Sequence, residues 1–395
     1  MRVAFNLEQL LASAPGGIGR YTAELARLVP QVELDRAERV ELVPFVARHS
    51  RSAIDAALRE HGLAGVAPEV QPISLPRPLL YDAWHTLGAA RLVRLPARLR
   101  AVDVVHAPSV AVPPSGPYRL VVTVHDAAPL RFPETYPRRG RWFHTLGVAA
   151  AARRADLVIT VSHAAAAELA EHTAISPQRV RVVPNGVDHV QASDHDVRAA
   201  RTVLGIGADP YVLWAGSLEP RKNVGVLVDG FARFAATAPG SRHQLVLVGP
   251  EGWMEDRATV LAPARARGVA ARVRTAGRLR ADVLRALYRG ADLVAVPSIH
   301  EGFGLPALEA MAQGTGVLAS DIPSLREVTG GAAELVAPRE PEAWAAALER
   351  LLAGDPARRA ELAGRGARHA DGFSWERCAR ETIAVYREAL DRPRR

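Results

Sequence analysis

The chain has 395 residues, enough at about 100–200 residues per domain for two or three domains, each with its own core. It is 48% apolar and 23% charged, which excludes wholesale disorder; no apolar run reaches the ~18 residues of a membrane span. The single cysteine, Cys378, excludes an internal disulfide and a thiolate metal cluster, and the net charge of +8 is spread along the chain among acids rather than gathered into a nucleic-acid-binding stripe. The opening residues, MRVAFNLEQL, lack the apolar core and cleavage site of a signal peptide, so a soluble cytoplasmic protein is expected. Forty-nine of the fifty basic residues are arginine. Lys222 is the one lysine, which raises the question of what only an ammonium does there.

Short β-rich runs alternate with helical patterns. In the first half strands are predicted over 3–6, 41–46, 103–106, 120–125, 156–161 and 179–183, with helices over 19–28 and 139–154 among the connections. The second half repeats the scheme with strands over 211–215, 244–248, 272–275, 293–296, 316–319 and 333–336. Runs such as LVVTVH and DLVITV are almost continuously apolar, as parallel strands covered on both faces are. Two doubly wound α/β sheets are the simplest architecture. The boundary is expected in the polar stretch VPNGVDHVQASDHDVRAAR, giving domains 1–192 and 193–372. Residues 373–395 hold a helix capped by Ser374, which either finishes the second domain or crosses back to the first.

Three loops stand out. Pro15-Gly16-Gly17-Ile18-Gly19-Arg20-Tyr21 follows a strand and opens a helix, so its glycines let backbone approach a bound anion at the helix N-terminus. It is neither a Walker A loop nor a complete dinucleotide fingerprint, and a plain tight turn reads equally well. Gly216-Ser217-Leu218-Glu219-Pro220-Arg221-Lys222-Asn223 follows the first strand of the second half, where open α/β sheets bind ligands. Adjacent cations at such a place suit a phosphate or diphosphate, and a solvated Arg-Lys pair in a loop reads equally well. The third and strongest is His300-Glu301-Gly302-Phe303-Gly304-Leu305-Pro306-Ala307-Leu308-Glu309, with Pro306 in the first turn of a helix. Its two carboxylates suit ribose and sugar hydroxyls, and the positive helix end suits a phosphate.

The spacing of Glu301 and Glu309 in EGFGLPALE resembles the signature of the retaining glycosyltransferases of family 4. GGIGRY, VTVHDAAPLRFPETYP, VSHAAAAEL, VPNGVD and GSLEPRKN extend that resemblance over nearly the whole chain, and HDAAPL looks most like mannosyltransferase-like members. The resemblance implies the GT-B fold, two Rossmann-like domains facing a cleft, and a nucleotide sugar held mainly by the second. Carried over, Arg221 and Lys222 hold the diphosphate and stabilise the leaving group, Glu309 binds the ribose and Glu301 the donor sugar. Gly216 and the amides of Phe303, Gly304 and Leu305 complete the donor site, with Gly17 and Gly19 approaching the diphosphate from the other domain. His125 contacts the donor sugar near the reacting carbon, with a buried structural histidine as the plainer alternative. Asp126, Arg20 and Tyr21 are the acceptor-side candidates.

The expected reaction is transfer with retention from a nucleotide sugar, GDP-mannose favoured over UDP- or dTDP-sugars. The acceptor is a glycan, a lipid-linked molecule or a small metabolite. No metal or other cofactor is expected, since two fixed cations and helix N-termini stabilise the departing diphosphate. Asp194-His195-Asp196 has the Asp-x-Asp form of metal-dependent transferases but sits in the polar boundary stretch and reads as solvated linker. The segments 77–100 and 131–154 mix arginines with Tyr81, Trp84, Tyr136, Trp142 and Phe143. They read as basic helices, either ordinary or resting on the inner membrane face. An epimerase or hydrolase of the same fold, a non-catalytic sugar-nucleotide binder and an NAD-dependent dehydrogenase are the other readings.

Overall fold

The computed structural model describes residues 1–32, 39–66, 69–86, 95–237, 242–354 and 356–393. The chain forms two compact units, Met1–Pro133 with Arg138–Gly186 and Ser374–Arg395, and Glu134–Pro137 with Val187–Phe373. In the first unit, strands β1 (Arg2–Asn6), β2 (Glu41–Val46), β3 (Gln71–Pro72), β4 (Val104–Ala107), β5 (Arg119–Thr123), β6 (Leu157–Thr160) and β7 (Val180–Val182) form one parallel sheet, ordered β3-β2-β1-β4-β5-β6-β7. Strands β4, β5 and β6 are buried throughout. That is why their sequences run apolar without alternation, since helices cover both faces. The core gathers Trp84, Leu99, Val105, Leu120 and Val158.

The second unit holds β8 (Tyr211–Ala215), β9 (Gln244–Val248), β10 (Val273–Ala276), β11 (Leu293–Val296), β12 (Val317–Ser320) and β13 (Glu334–Val336), parallel and ordered β10-β9-β8-β11-β12-β13. Its core is built on Trp214, Phe231, Leu247 and Trp344. In each sheet the strand order reverses once, between β1 and β4 and between β8 and β11. The carboxyl ends of such a pair open a crevice in which ligands of doubly wound sheets bind. All twelve predicted strands are present, several displaced by a residue or two. The two-residue edge strand β3 was not predicted, being too short to show a period.

Three expectations are corrected. The boundary stretch is not a linker at Asp194-His195-Asp196: these residues open the helix Asp194–Val203. Ser193 and Asp196 form a reciprocal capping box, with Asp196 N donating to Ser193 Oγ (3.2 Å) and Ser193 N donating to Asp196 Oδ2 (2.9 Å). The Asp196 carboxylate is therefore used by the helix end. Segment 131–154 is also not one helix. The short helix Ala128–Arg131 and a turn at Pro133–Thr135 precede the helix Arg138–Arg154, because Pro133 and Pro137 lack the amide hydrogens a continuous helix needs. Of segment 77–100, Arg77–His85 and Ala97–Arg100 are helical and residues 87–94 lie outside the described residues.

The aromatic residues in these segments mostly pack inward. Trp84 is fully buried, Tyr81 stacks on Trp84 (5.6 Å) and on Phe143 (5.8 Å), and Tyr136 lies against Trp253 (5.7 Å). Only Trp142 of the five is exposed, at 42%. Among the described residues no helix is long and apolar enough to cross a membrane.

The helix Trp375–Asp391 is capped by Ser374 as predicted and belongs to the first unit. It pairs Glu388 with Arg181 and packs closely over Gly186 of the VPNGVD motif. A Cβ on Gly186 would lie 2.1 Å from the Trp375 nitrogen, so only glycine lets the two backbones approach this far.

Candidate active site

The second-unit crevice brings two of the three loops together. The loop after β8 ends in the turn Pro220–Lys222, closed by Asn223 in the left-handed region (φ 54°). Asparagine tolerates that conformation better than most residues. Its side-chain amide donates both hydrogens, to the carbonyls of Pro297 (2.9 Å) and Pro338 (2.5 Å). The Ile299 amide donates to the Arg221 carbonyl (3.0 Å), so this loop is sewn to the loop after β11.

Across that seam four charges meet. Lys222 Nζ lies 2.6 Å from Glu301 Oε1, and Arg221 lies 3.3 Å from Glu301 Oε2 and 3.1 Å from Glu219 Oε1. Arg221 also donates to the His300 carbonyl (2.9 Å), and Ser298 Oγ donates to Glu301 Oε1 (2.7 Å). The carboxylates are buried, with Glu301 8% and Glu219 3% exposed. Burial alone would raise the Glu301 pKa, but Lys222, then Arg221, and the bonds from Lys222 and Ser298 outweigh it and hold it at about 2.

A folded-state pKa below the ordinary 4.5 means this cluster contributes its full stability above pH 4.5 and loses it as pH falls toward 2. Urea unfolding of wild type and Glu301→Gln is therefore expected to differ by about 3 kcal/mol at neutral pH, narrowing from about pH 5 down to about pH 2. A gap independent of pH would contradict the ion-pair account.

The helix Leu305–Ala312 begins at this cluster, with Pro306 in its first turn as predicted. Its N-cap, Gly304, sits at φ 108°, where a Cβ would strike Leu325 Cδ2 at 2.6 Å, and it offers no side-chain cap. The first-turn amides are thus presented toward the crevice mouth. The Phe303 ring is buried edge-on to Phe373 (6.0 Å), which leaves its backbone as its contribution to the site. Glu309 is partly buried and raises the pKa of the buried Tyr288 phenol, after burial itself.

Gly216 is held from a neighbouring loop not singled out in the sequence. Its amide donates to the Val248 carbonyl (2.9 Å), and Gly249, at φ 145°, passes so near that a Cβ there would be 1.7 Å from the Gly216 oxygen. Sequence reasoning also missed Glu219, Asn223 and Ser298 as members of the cluster. Glu219 and Asn223 were legible only as part of GSLEPRKN, and Ser298 carries no local signal of its partner.

The third loop lies in the first unit, with β1. Gly17 is exposed at the start of the helix Gly16–Leu28. Gly19 is not open to a ligand: it is buried, and a Cβ there would lie 2.2 Å from Pro15 Cβ, so it serves close packing. Arg20 pairs with Glu24 of the same helix at 3.2 Å. Tyr21, expected on the acceptor side, is instead fully buried with its hydroxyl 3.0 Å from Thr123 Oγ1.

His125 follows β5 and is partly buried. Its Nε2 lies 2.9 Å from the Pro108 carbonyl, which can only accept, so Nε2 carries the hydrogen and Nδ1 the lone pair. Burial lowers its pKa against the opposing pull of that bond and of Asp126. Asp126 Oδ1 accepts the Ala128 amide (3.0 Å). No group of three or more His, Cys, Asp or Glu side chains suited to a metal ion occurs among the described residues.

Two reversed-order parallel sheets, one with cations and carboxylates at its switch point, define a two-domain doubly wound α/β protein. Residues 15–191 match the family described as Glycosyltransferase Family 4, and 209–354 that of Glycosyl transferases group 1. A D-inositol 3-phosphate glycosyltransferase of Acidothermus cellulolyticus is 31% identical over 405 residues, covering 95% of this chain and 86% of that protein. The enzyme of that name from Actinosynnema mirum is 38% identical over 244 residues, 60% of this chain and 58% of its own length. That match and the similar one in Salinispora tropica thus span little more than half of the relatives' length. Among solved structures, Anabaena Alr3699/HepE in complex with UDP and glucose superposes with a TM-score of 0.76 at 21% identity, covering 98% of this chain and all of that one. WaaG, a glycosyltransferase involved in lipopolysaccharide biosynthesis, gives 0.69 at 19% identity, covering 97% and 99%. The chain belongs to the group 1 glycosyltransferases of family 4 and has the GT-B fold.

Proposed function

We propose that this protein moves a sugar from a nucleoside diphosphate to an acceptor hydroxyl, with retention and without a metal. The observation that carries the reading is the Arg221–Lys222–Glu301–Glu219 cluster at the switch point, beside a helix N-terminus with no capping side chain. In the reaction the bond from the sugar's anomeric carbon to the diphosphate breaks and a bond to the acceptor oxygen forms. The acceptor proton passes to the departing phosphate. Negative charge grows on that phosphate, and cations already fixed by their carboxylates stabilise it with little reorganisation. The helix end adds to this.

Glu301, ionised throughout the physiological range, accepts hydrogen bonds from donor-sugar hydroxyls and is too weak a base to take the acceptor proton. Glu309 accepts from the ribose, and the amides of Phe303, Gly304 and Leu305 serve phosphate and sugar. Gly216 gives the diphosphate close backbone, and Gly17 keeps the diphosphate role that the family resemblance implies. His125, neutral, meets the donor sugar near the reacting carbon, and Asp126 orients it or the acceptor. The relatives' name makes D-inositol 3-phosphate the first acceptor to try, and GDP-mannose, UDP-sugars and dTDP-sugars are the donor arms.

The test is incubation of each donor with that acceptor, with and without EDTA, reading the product by mass spectrometry and its anomeric configuration by NMR. One donor is expected to give a retained glycoside at the same rate in EDTA. Activity abolished by EDTA and restored by Mn²⁺ would contradict the metal-free mechanism, and an inverted product would contradict retention.

A further inference from the structure

A second polar construction lies wholly inside the first unit, beneath His125. Tyr386, on the C-terminal helix, has its hydroxyl 2.7 Å from His106 Nδ1. His106 Nε2 is 2.8 Å from Thr123 Oγ1, which is 3.0 Å from the Tyr21 hydroxyl. All four side chains are fully buried. The Tyr21 ring then meets the His125 imidazole edge to face, with centroids 5.0 Å apart and planes at 90°. His106 also stands two residues before Pro108, whose carbonyl accepts the His125 Nε2 hydrogen. The ring contact of His125 thus rests directly on this chain, and its hydrogen-bond acceptor lies two residues along the backbone from His106.

Burial keeps His106 uncharged, with its pKa down at about 3, so one ring nitrogen donates and the other accepts. In a hydrogen-bonded run of this kind, deleting any member leaves a buried polar atom unpaired. Nothing in an ordinary core requires it, because apolar side chains of the same shape would fill the same space.

We propose that Tyr386, His106, Thr123 and Tyr21 are positioning residues for His125, so that the C-terminal helix sets the orientation of the imidazole. The kinetic part rests on the transferase reading above, whereas the structural part concerns His125 alone. Thr123 is the place to cut. Thr123→Val keeps the branched shape and removes the hydroxyl; Thr123→Ser keeps the hydroxyl.

With histidine ¹⁵N-labelled full-length protein, Thr123→Val and Tyr386→Phe are expected to shift the His125 ring-nitrogen resonances away from the wild-type pattern. Thr123→Ser is expected to retain that pattern. In the transfer assay Thr123→Val should lose about tenfold or more in kcat with donor KM little changed, and Thr123→Ser should recover to within about threefold of wild type. Unchanged His125 resonances in folded Thr123→Val and Tyr386→Phe would overturn the proposal. So would Thr123→Ser as impaired as Thr123→Val, since packing would then be the cause. If the wild type transfers no sugar at all, the transferase reading fails while the resonances still decide the positioning claim.

Discussion

Lys222→Ala is expected to lower kcat by about two to three orders of magnitude while the protein stays folded, the range seen when one fixed donor to a developing oxyanion is removed. The ammonium sits 2.6 Å from Glu301 in a site of low solvent exposure. Its charge there acts through little intervening water, and each 1.36 kcal/mol lost from the transition state is about a factor of ten in rate. Two effects combine in this variant. The diphosphate loses one of its two cations, and Glu301 keeps only Arg221 and Ser298 as partners. Lys222→Arg separates them, because a guanidinium restores the charge but not the compact three-hydrogen head that fits beside Glu301. Steady-state kinetics of both variants, with unfolding curves to confirm the fold, make the check. Near-normal turnover by folded Lys222→Ala would remove Lys222 from the mechanism.

Gly249→Ala is expected to abolish nucleotide binding and to cost the second unit on the order of 3 kcal/mol. At φ 145° the backbone is in a region that side chains rarely adopt, and the new methyl would lie 1.7 Å from the Gly216 carbonyl. The Gly216 loop must therefore move, and it continues directly into Arg221 and Lys222. Calorimetric titration with a nucleoside diphosphate and thermal unfolding report the two effects separately. Gly225→Ala is the control, because a Cβ there meets nothing within 4 Å. Tight binding by Gly249→Ala would show that the two loops are not coupled.

Local signals in the sequence reached the strands and the loops that end them, because apolar runs, glycines and Pro306 act over a few residues. They did not reach the ion pairing of Glu301 with Arg221 and Lys222, which the family resemblance placed in one donor site only as separate contacts to diphosphate and sugar. What they did not reach depends on which distant backbones touch. Gly249 looks like any strand-end glycine until β9 is known to pair with β8, and Gly186 until the C-terminal helix lies over it. Tyr21 was an acceptor-side candidate in the sequence; only the sheet beneath it supplies Thr123 and buries the phenol. The Asp194-His195-Asp196 run carried a helix-start signal in Ser193, with Asp196 three residues on, that its resemblance to a metal motif obscured.

The most direct measurement of the central claim is the thermal unfolding of wild type and Lys222→Ala with GDP, UDP, dTDP, ADP and NAD. A ligand at a hundred times its Kd adds about 2.7 kcal/mol, visible as a rise of a few degrees in Tm. One nucleoside diphosphate is expected to raise the wild-type Tm, and Lys222→Ala is expected to lose most of that rise. A rise with NAD alone, or an equal rise in both proteins, would contradict the claim.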